Sequence, residues 1–410
     1  MFWDTHQRLD VFIDSNYSPP PANTAAMDLC AAVTGAYLAW TLLAIFPRRV
    51  VRLSWRLAQD AVVLVVSSFL LPCLCYEAVA ALLLAVLALV LYNDQPSPWM
   101  TVSARAVVIT GCDRGIGHAT ALHLDKLGFH VFAGCLEMGG EGERELVKSA
   151  SNRLQTFAMD VTNGQQVMEG AQFVASRLQG KVLHGVVNNA GILLAGNVET
   201  MAYPDIRKIM EVNCMGPINI HRAYMPLLRQ PRRATARHIT VASNIGLAPS
   251  ALLGIYGASK AAAALLSETW RHELKPMGIS VSTIIPSGFK TGILMYDREA
   301  VGNRWWQQAT QEVRDYYGKA CFIPMNKKQN YKDYLQANFS PIINCITDAL
   351  LATHPKPYYY KGLMARSLPF LYLHLPSCLW DLVMPYYSSF YHFPIQALAS
   401  DKNQVHSKTT

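Results

Sequence analysis

Nothing in these 410 residues is arranged to hold a metal ion. Of the nine cysteines, Cys30, Cys73 and Cys75 lie in apolar tracts, and the other six are scattered without CxxC or CxxH spacing. That excludes the usual zinc clusters and suits a reducing compartment. Internal repeats and long low-complexity linkers are also missing. No basic stretch precedes an apolar run at the start, where three aspartates and one arginine stand instead, so no cleavable signal peptide is expected. The net charge is +8, but much of it is local: Arg229, Arg232, Arg233, Arg237 and His238 crowd one connection. Without interleaved aromatics this reads as a solvated loop that can meet anionic lipid headgroups, and no nucleic-acid partner is expected.

Long apolar runs are present, all before Arg105. Residues 27–46 carry Asp28 as their one charge, and 61–92 form a longer run interrupted by Pro72 and Glu77. The first is long enough to cross a hydrocarbon core of ~30 Å, and the second suits two short spans or one span with an interfacial piece. We expect a polar segment at 1–26 and a transmembrane anchor of two or three spans at 27–92. Arg48, Arg49, Arg52 and Arg56 separate the runs with no acids between them, which places that loop in the cytosol. Three spans then put the rest of the chain in the cytosol, and two put it in the lumen.

From Arg105 the pattern changes to short apolar runs ending in small or polar residues. Arg105–Gly111 reads as a buried strand entering a turn, Cys112-Asp113-Arg114-Gly115-Ile116-Gly117, and a helix follows over 118–127. Glycines at 111, 115 and 117 let the backbone turn tightly and approach a pyrophosphate at the helix N-terminus. Further strands are expected at 130–136, ending at Glu137, at 154–159, ending in Asp160-Val161, and at 183–187, ending in Asn188-Asn189-Ala190-Gly191. In an open parallel sheet such ends face the ligand crevice. The predicted fold is an α/β, Rossmann-type doubly wound parallel sheet.

Tyr256 and Lys260 follow in Y-G-A-S-K, and Ser243 ends the apolar run H-I-T-V-A-S thirteen positions before Tyr256. Residues i and i+4 share a helix face, so the phenol and the ammonium can act on one atom. A free tyrosine titrates near pKa ~10, and a neighbouring cation favours its phenolate. Ser243 can hydrogen-bond a substrate oxygen as charge develops on it. This chemistry suits proton removal from an alcohol while a hydride leaves its carbon.

Together TGCDRGIG, DV, NNAG, Asn213, Ser243, Tyr256-xxx-Lys260 and the strand end at Pro286 resemble the short-chain dehydrogenase/reductase family over roughly residues 105–291. The segments DKLGFHVFAGCLE, MPLLR, YGASKAAAALL and FSPIINCITDALLA resemble its membrane-bound steroid and retinol dehydrogenase branch, the type 2 hydroxysteroid dehydrogenases in particular. The resemblance implies catalytic roles for Asn213, Ser243, Tyr256 and Lys260, with Asn213 holding the water of a proton relay. Ser243 and Tyr256 would meet the substrate. It implies cofactor contacts for Gly111, Asp113, Arg114, Gly115, Ile116, Gly117, Glu137, Asp160, Val161, Asn189, Ala190, Gly191, Tyr256, Lys260, Pro286 and Thr291.

The cofactor is then NAD, with NADP as the alternative. Arg114 before a turn glycine suits a 2′-phosphate, whereas Glu137 repels it and can accept from a ribose hydroxyl, which favours NAD. The expected substrate is a small apolar alcohol, a steroid or sterol first and a retinoid second, and the expected site is the endoplasmic reticulum membrane with the catalytic domain facing the cytosol. Membrane lipid and a second copy of the chain in a homodimer complete the partners. The rival reading is a catalytically silent, cofactor-binding membrane protein. One departure concerns Ser287, where the family usually has glycine and a Cβ is expected to crowd the backbone beside the nicotinamide.

The dehydrogenase domain is expected over 104–350, with a substrate lid at about 292–338 that contains Trp305, Trp306, Tyr316 and Tyr317. These aromatics serve either to clasp a flat ring or as core. An amphipathic helix is expected over 341–351. The apolar, proline-broken stretch 351–400 suits a membrane interface, and 401–410 is a tail.

Overall fold

The computed structural model describes residues 97–230, 236–294, 296–322 and 335–388. The chain divides into two compact units, 1–95 and 96–410. The first unit, and with it the expected anchor, lies outside the described residues. Among the described residues no helix is long and apolar enough to cross a membrane.

Seven strands build one all-parallel sheet: β1 Arg105–Thr110, β2 His130–Cys135, β3 Leu154–Ala158, β4 Val182–Asn188, β5 Arg237–Val241, β6 Ser280–Pro286 and β7 Tyr358–Lys361. Their order is β3-β2-β1-β4-β5-β6-β7, so the winding reverses between β1 and β4. Helices connect them: α1 Gly115–Lys126, α2 Glu141–Ser149, α3 Gly164–Arg177, α4 Tyr203–Met210, α5 Gly216–Leu228 and α6 Gly254–Glu273. After β6 come α7 Arg298–Gln308, α8 Gln311–Tyr317 and α9 Ser340–Leu351, and after β7 come α10 Ser367–His374 and α11 Ser377–Ser388.

The period of two along β1 separates two cores. Val107 and Ile109 face Leu124 of α1, Leu146 of α2 and Ile342 and Ile346 of α9. Ala106 and Val108 face Val167 and Val174 of α3, Ile220 of α5 and Trp270 of α6. The sheet is thus buried on both sides, which is why its strands read as continuous apolar runs rather than alternating ones.

The early elements match the sequence reading to within a few residues, but one later element differs. The strand β7 was not expected, and it carries the sheet past the boundary at 350. Met100 N–H donates to Leu351 O at 2.7 Å, and Trp99 Nε1 donates to Asp348 at 2.8 Å, so the segment entering the domain is fastened to the end of α9.

Candidate active site

The strand ends align on one edge of the sheet, and a cleft of about 1920 Å³ runs along it. Single small-molecule pockets are ~300–1,000 Å³, so this one has room for a dinucleotide and a second molecule. Of the site residues expected from sequence, all line the cleft except Gly117 and Asn213, which stand buried behind its wall.

Backbone geometry builds the turn after β1. Gly111 and Gly115 adopt φ +70° and +68°, a region L side chains avoid. A Cβ on Gly117 would lie 2.3 Å from Gly111 O, so the first turn of α1 folds directly onto the strand end. Thr110 Oγ1 accepts from the N–H groups of Asn189 (3.1 Å) and Ala190 (3.0 Å), and Asn189 Nδ2 donates back to Thr110 O at 2.9 Å. These bonds tie β1 to β4 across the point where the winding reverses. Opposite the turn, a Cβ on Gly115 would face Thr291 at 3.7 Å, leaving a gap with bare backbone on one side. This cradle fits the diphosphate of a dinucleotide.

Several expected contact residues have other work. Asp113 accepts from Leu136 N–H at 3.0 Å and Glu137 N–H at 2.9 Å, so its carboxylate braces the end of β2. Asp160 accepts from the N–H (2.9 Å) and hydroxyl (2.7 Å) of Thr162. Arg114 is exposed, and its stem lies where a Cβ on Gly292 would come within 2.6 Å of it. Ser287 is not strained, because its φ lies outside the left-handed region. Its Cβ is 2.9 Å from the place a Cβ on Gly362 would occupy, so the bare glycine after β7 accommodates the added side chain.

At the other end of the cleft α6 presents Tyr256 and Lys260. The helix is rich in alanine and buries Tyr256, Ser259, Lys260, Ala263, Ser267 and Trp270 along one stripe. Ser243, at the end of β5, hydrogen-bonds with the Tyr256 phenol. Burial pushes Tyr256 up to about 12, and the Ser243 bond pulls it back in part. Lys260 is not a cause of that shift. Burial lowers its own ammonium to about 8, and Nζ donates to Val241 O at 2.9 Å. The neutral phenol is the resting form.

Asn213 sits in a π-helical turn, Glu211–Met215, between α4 and α5. Its Oδ1 accepts from Ile192 N–H at 2.8 Å, and Nδ2 donates to Ile192 O and to Ser259 Oγ, both at 2.9 Å. Ser259 Oγ in turn donates to Tyr256 O at 2.7 Å. Both amide donors are thus committed to protein, and only an Oδ1 lone pair remains for a water. The asparagine couples the loop after β4 to α6.

Sequence reasoning missed the wall around Tyr256. Leu193, Ala195 and Leu253 pack with Tyr256, Ile245, Ile293 and Tyr296, and Tyr296 OH accepts from Ala195 N–H at 2.9 Å. These residues come from three separated loops and form no motif. In the segment after β6, Trp305 is core: it is 1% exposed, packs with Met201, Ile209 and Phe322, and donates to Asp205 at 2.7 Å. It anchors α7 on α4 rather than facing the cleft. Residues 323–334 of the expected lid lie outside the described residues.

The model of the short chain dehydrogenase family matches residues 105–302. Among curated relatives, estradiol 17-beta-dehydrogenase 2 of Mus musculus is 36% identical over 298 residues, covering 70% of this chain and 75% of the relative. The 11-beta-hydroxysteroid dehydrogenase type 2 of Homo sapiens is 36% identical over 295 residues (68% and 69%). The mitochondrial D-beta-hydroxybutyrate dehydrogenase of Bos taurus is 34% identical over 274 residues (63% and 79%). A short-chain dehydrogenase structure from Streptomyces avermitilis, at 24% identity, shares the fold with a TM-score of 0.53, over 70% of this chain and 97% of that one. The chain belongs to the short-chain dehydrogenase family, on the branch that carries the hydroxysteroid dehydrogenases, and is an NAD(P)-dependent oxidoreductase acting on CH–OH groups.

Proposed function

We propose that this enzyme oxidises a secondary hydroxyl on an apolar molecule, a steroid or sterol, with NAD as hydride acceptor. The observation that carries this reading is the set Ser243, Tyr256 and Lys260 beneath an apolar wall of Leu193, Leu253, Ile293 and Tyr296. Such a wall rewards a ring system by burial and offers little to a small polar alcohol. Ser243 holds the substrate oxygen, and Tyr256 moves its proton. Lys260 keeps two donors beyond its bond to Val241 O, for the ribose and for charge on the phenol. Asn213 acts as a positioning residue through Ile192 and Ser259. The nicotinamide, when bound, supplies the hydride acceptor. The glycine turn, Ile116, Asp160, Val161, Asn189 to Gly191, Pro286 and Thr291 form the bed of the whole dinucleotide.

Retinol is the second lipid alcohol to test. A hydroxy acid, as in the name of the hydroxybutyrate dehydrogenase relative, is the polar alternative. Turnover of hydroxysteroids, retinol and hydroxybutyrate on detergent-purified full chain separates these. The reading expects kcat/KM to rise with apolar area, and a preference for hydroxybutyrate would reject it.

The apolar runs at 27–46 and 61–92 would anchor the enzyme to the endoplasmic reticulum, with the catalytic unit in the cytosol. Leu363, at the cleft, is 69% exposed, and Leu379 and Leu382 on α11 are 46% and 75% exposed, which suits an interfacial segment beside the substrate entrance. Protease digestion of sealed microsomes tests this: cleavage without detergent is expected, and full protection would place the unit in the lumen.

A further inference from the structure

We propose that Asn244 reads a second oxygen on the substrate, a hydroxyl or ketone on the carbon next to the one oxidised. The inference deepens the reading above and rests on it for where the steroid lies. Asn244 follows Ser243 directly, lines the cleft and is 3% exposed. The rest of the wall beside Tyr256 is apolar, from Leu193, Ile245, Leu253 and Ile293.

No structural duty accounts for an amide at this position. Ser243 Oγ accepts from Ile245 N–H at 3.2 Å and so caps the short 3-10 turn Asn244–Gly246. The backbone carbonyl of Asn244 accepts from the N–H groups of Leu247 and Ala248, both at 3.0 Å, again without the side chain. Oδ1 takes one long bond, from Ser243 Oγ at 3.5 Å. The Nδ2 donors meet no acceptor among the described residues. Buried amides are normally bonded at both ends. An amide buried at a ligand cleft with its donors unspent is a recognition group for an acceptor on the ligand.

The loop that carries it is set before any substrate arrives. A Cβ on Gly246 would lie 2.7 Å from Lys260 C, so the turn presses on α6 beside the catalytic lysine. Leu252, further along the loop, holds φ +63°, a left-handed conformation that is costly for leucine. Its carbonyl accepts from Gly196 N–H at 2.9 Å. Ala248 is buried against Leu368 and Trp380.

Position decides which oxygen is read. Ser243 holds the reacting oxygen, and Asn244 Oδ1 lies 3.5 Å from the Ser243 hydroxyl. Oxygens on adjacent carbons stand roughly a hydrogen-bond length apart, so the neighbour of the reacting oxygen falls at the amide and a remote substituent does not. In the open cleft, solvent satisfies the amide. A steroid with no oxygen there expels the solvent and strands the donors, a penalty that a substrate with the second oxygen avoids. The favoured substrates are therefore secondary alcohols with an oxygen on the adjacent carbon.

The test compares estradiol with estriol, which carries one more hydroxyl on the neighbouring carbon, as substrates of the full chain in detergent with NAD. Wild type should turn over estriol with kcat/KM about tenfold above that for estradiol. Asn244→Leu keeps the size of the side chain and removes the amide. It should lower kcat/KM for estriol and raise it for estradiol, so that the preference reverses, and NADH affinity reports that the variant is folded. Asn244→Ala is the second variant should leucine not fit, and it should bring the ratio to about one. A wild type that prefers estradiol, or that treats the two alike within about twofold, overturns the inference and leaves the steroid reading standing. So does a preference for estriol that the folded variants keep. Acceptance of neither steroid overturns the reading on which the inference rests, and the inference with it.

Discussion

The nucleotide half of the cleft is shaped by backbone, whereas the substrate half is shaped by side chains. Around β1 and β2 the walls are glycines at positive φ, N–H groups and braces such as Asp113 and Thr110. Around Tyr256 they are Leu193, Leu253, Ile293 and Tyr296, brought in from separate loops. Backbone walls tolerate almost no substitution and fit one ligand shape. Side-chain walls can be exchanged while the sheet stays as it is, so one half fixes the cofactor and the other sets the substrate.

The sharpest break of this contrast is at the point where the halves meet. Tyr256→Phe removes the proton carrier, and kcat should fall by about 10³-fold, measured as reduced nucleotide per second with saturating NAD and hydroxysteroid. Next comes the rigid half. Gly117→Ala places a methyl 2.3 Å from Gly111 O, and overpacking of this kind costs ~1–3 kcal/mol. NADH affinity should drop at least tenfold, and a thermal melt should show a lower Tm. In the soft half, Leu253→Ala should raise KM for a hydroxysteroid about tenfold while NADH affinity moves less than twofold. A matched loss in both would mean the halves are not separable.

The same contrast explains what the sequence disclosed. Gly111 to Gly117, Asn189 to Gly191 and Tyr256 to Lys260 are local, because a turn or one helix face needs particular residues at fixed spacing. The fold followed from the strand ends between them. The substrate wall was illegible because 193, 253, 293 and 296 share no period and meet only after folding. The π turn at Asn213 was equally hidden, since a slip of hydrogen-bond register leaves no compositional mark. β7 was missed because Y-Y-Y-K follows a proline in an aromatic-rich stretch and is only four residues long. Trp305 left core and lid open until its indole was found on Asp205.

Protonation gives smaller effects that sharpen the comparison. With Tyr256 at about 12, the phenol starts neutral, so kcat/KM for oxidation should rise from pH 7 to pH 9, whereas the rate of ketone reduction should not. Away from the cleft, burial lowers His184 and His238 to about 3 each. Their folded pKa values lie below the unfolded value of about 6.5, so the unfolded chain takes up protons first. Stability should be full above pH ~6.5 and fall steadily as pH drops toward 3. His238→Asn, in a chain that still folds, should flatten part of that slope in melts taken between pH 7 and pH 4.

The most direct test of the account is single-turnover hydride transfer on the detergent-purified full chain, followed by nucleotide fluorescence with NAD and a secondary hydroxysteroid. The account predicts reduced nucleotide from wild type and a transfer about 10³-fold slower in Tyr256→Phe. Equal rates in the two proteins, or nucleotide binding without turnover of any hydroxysteroid or retinol, would contradict it.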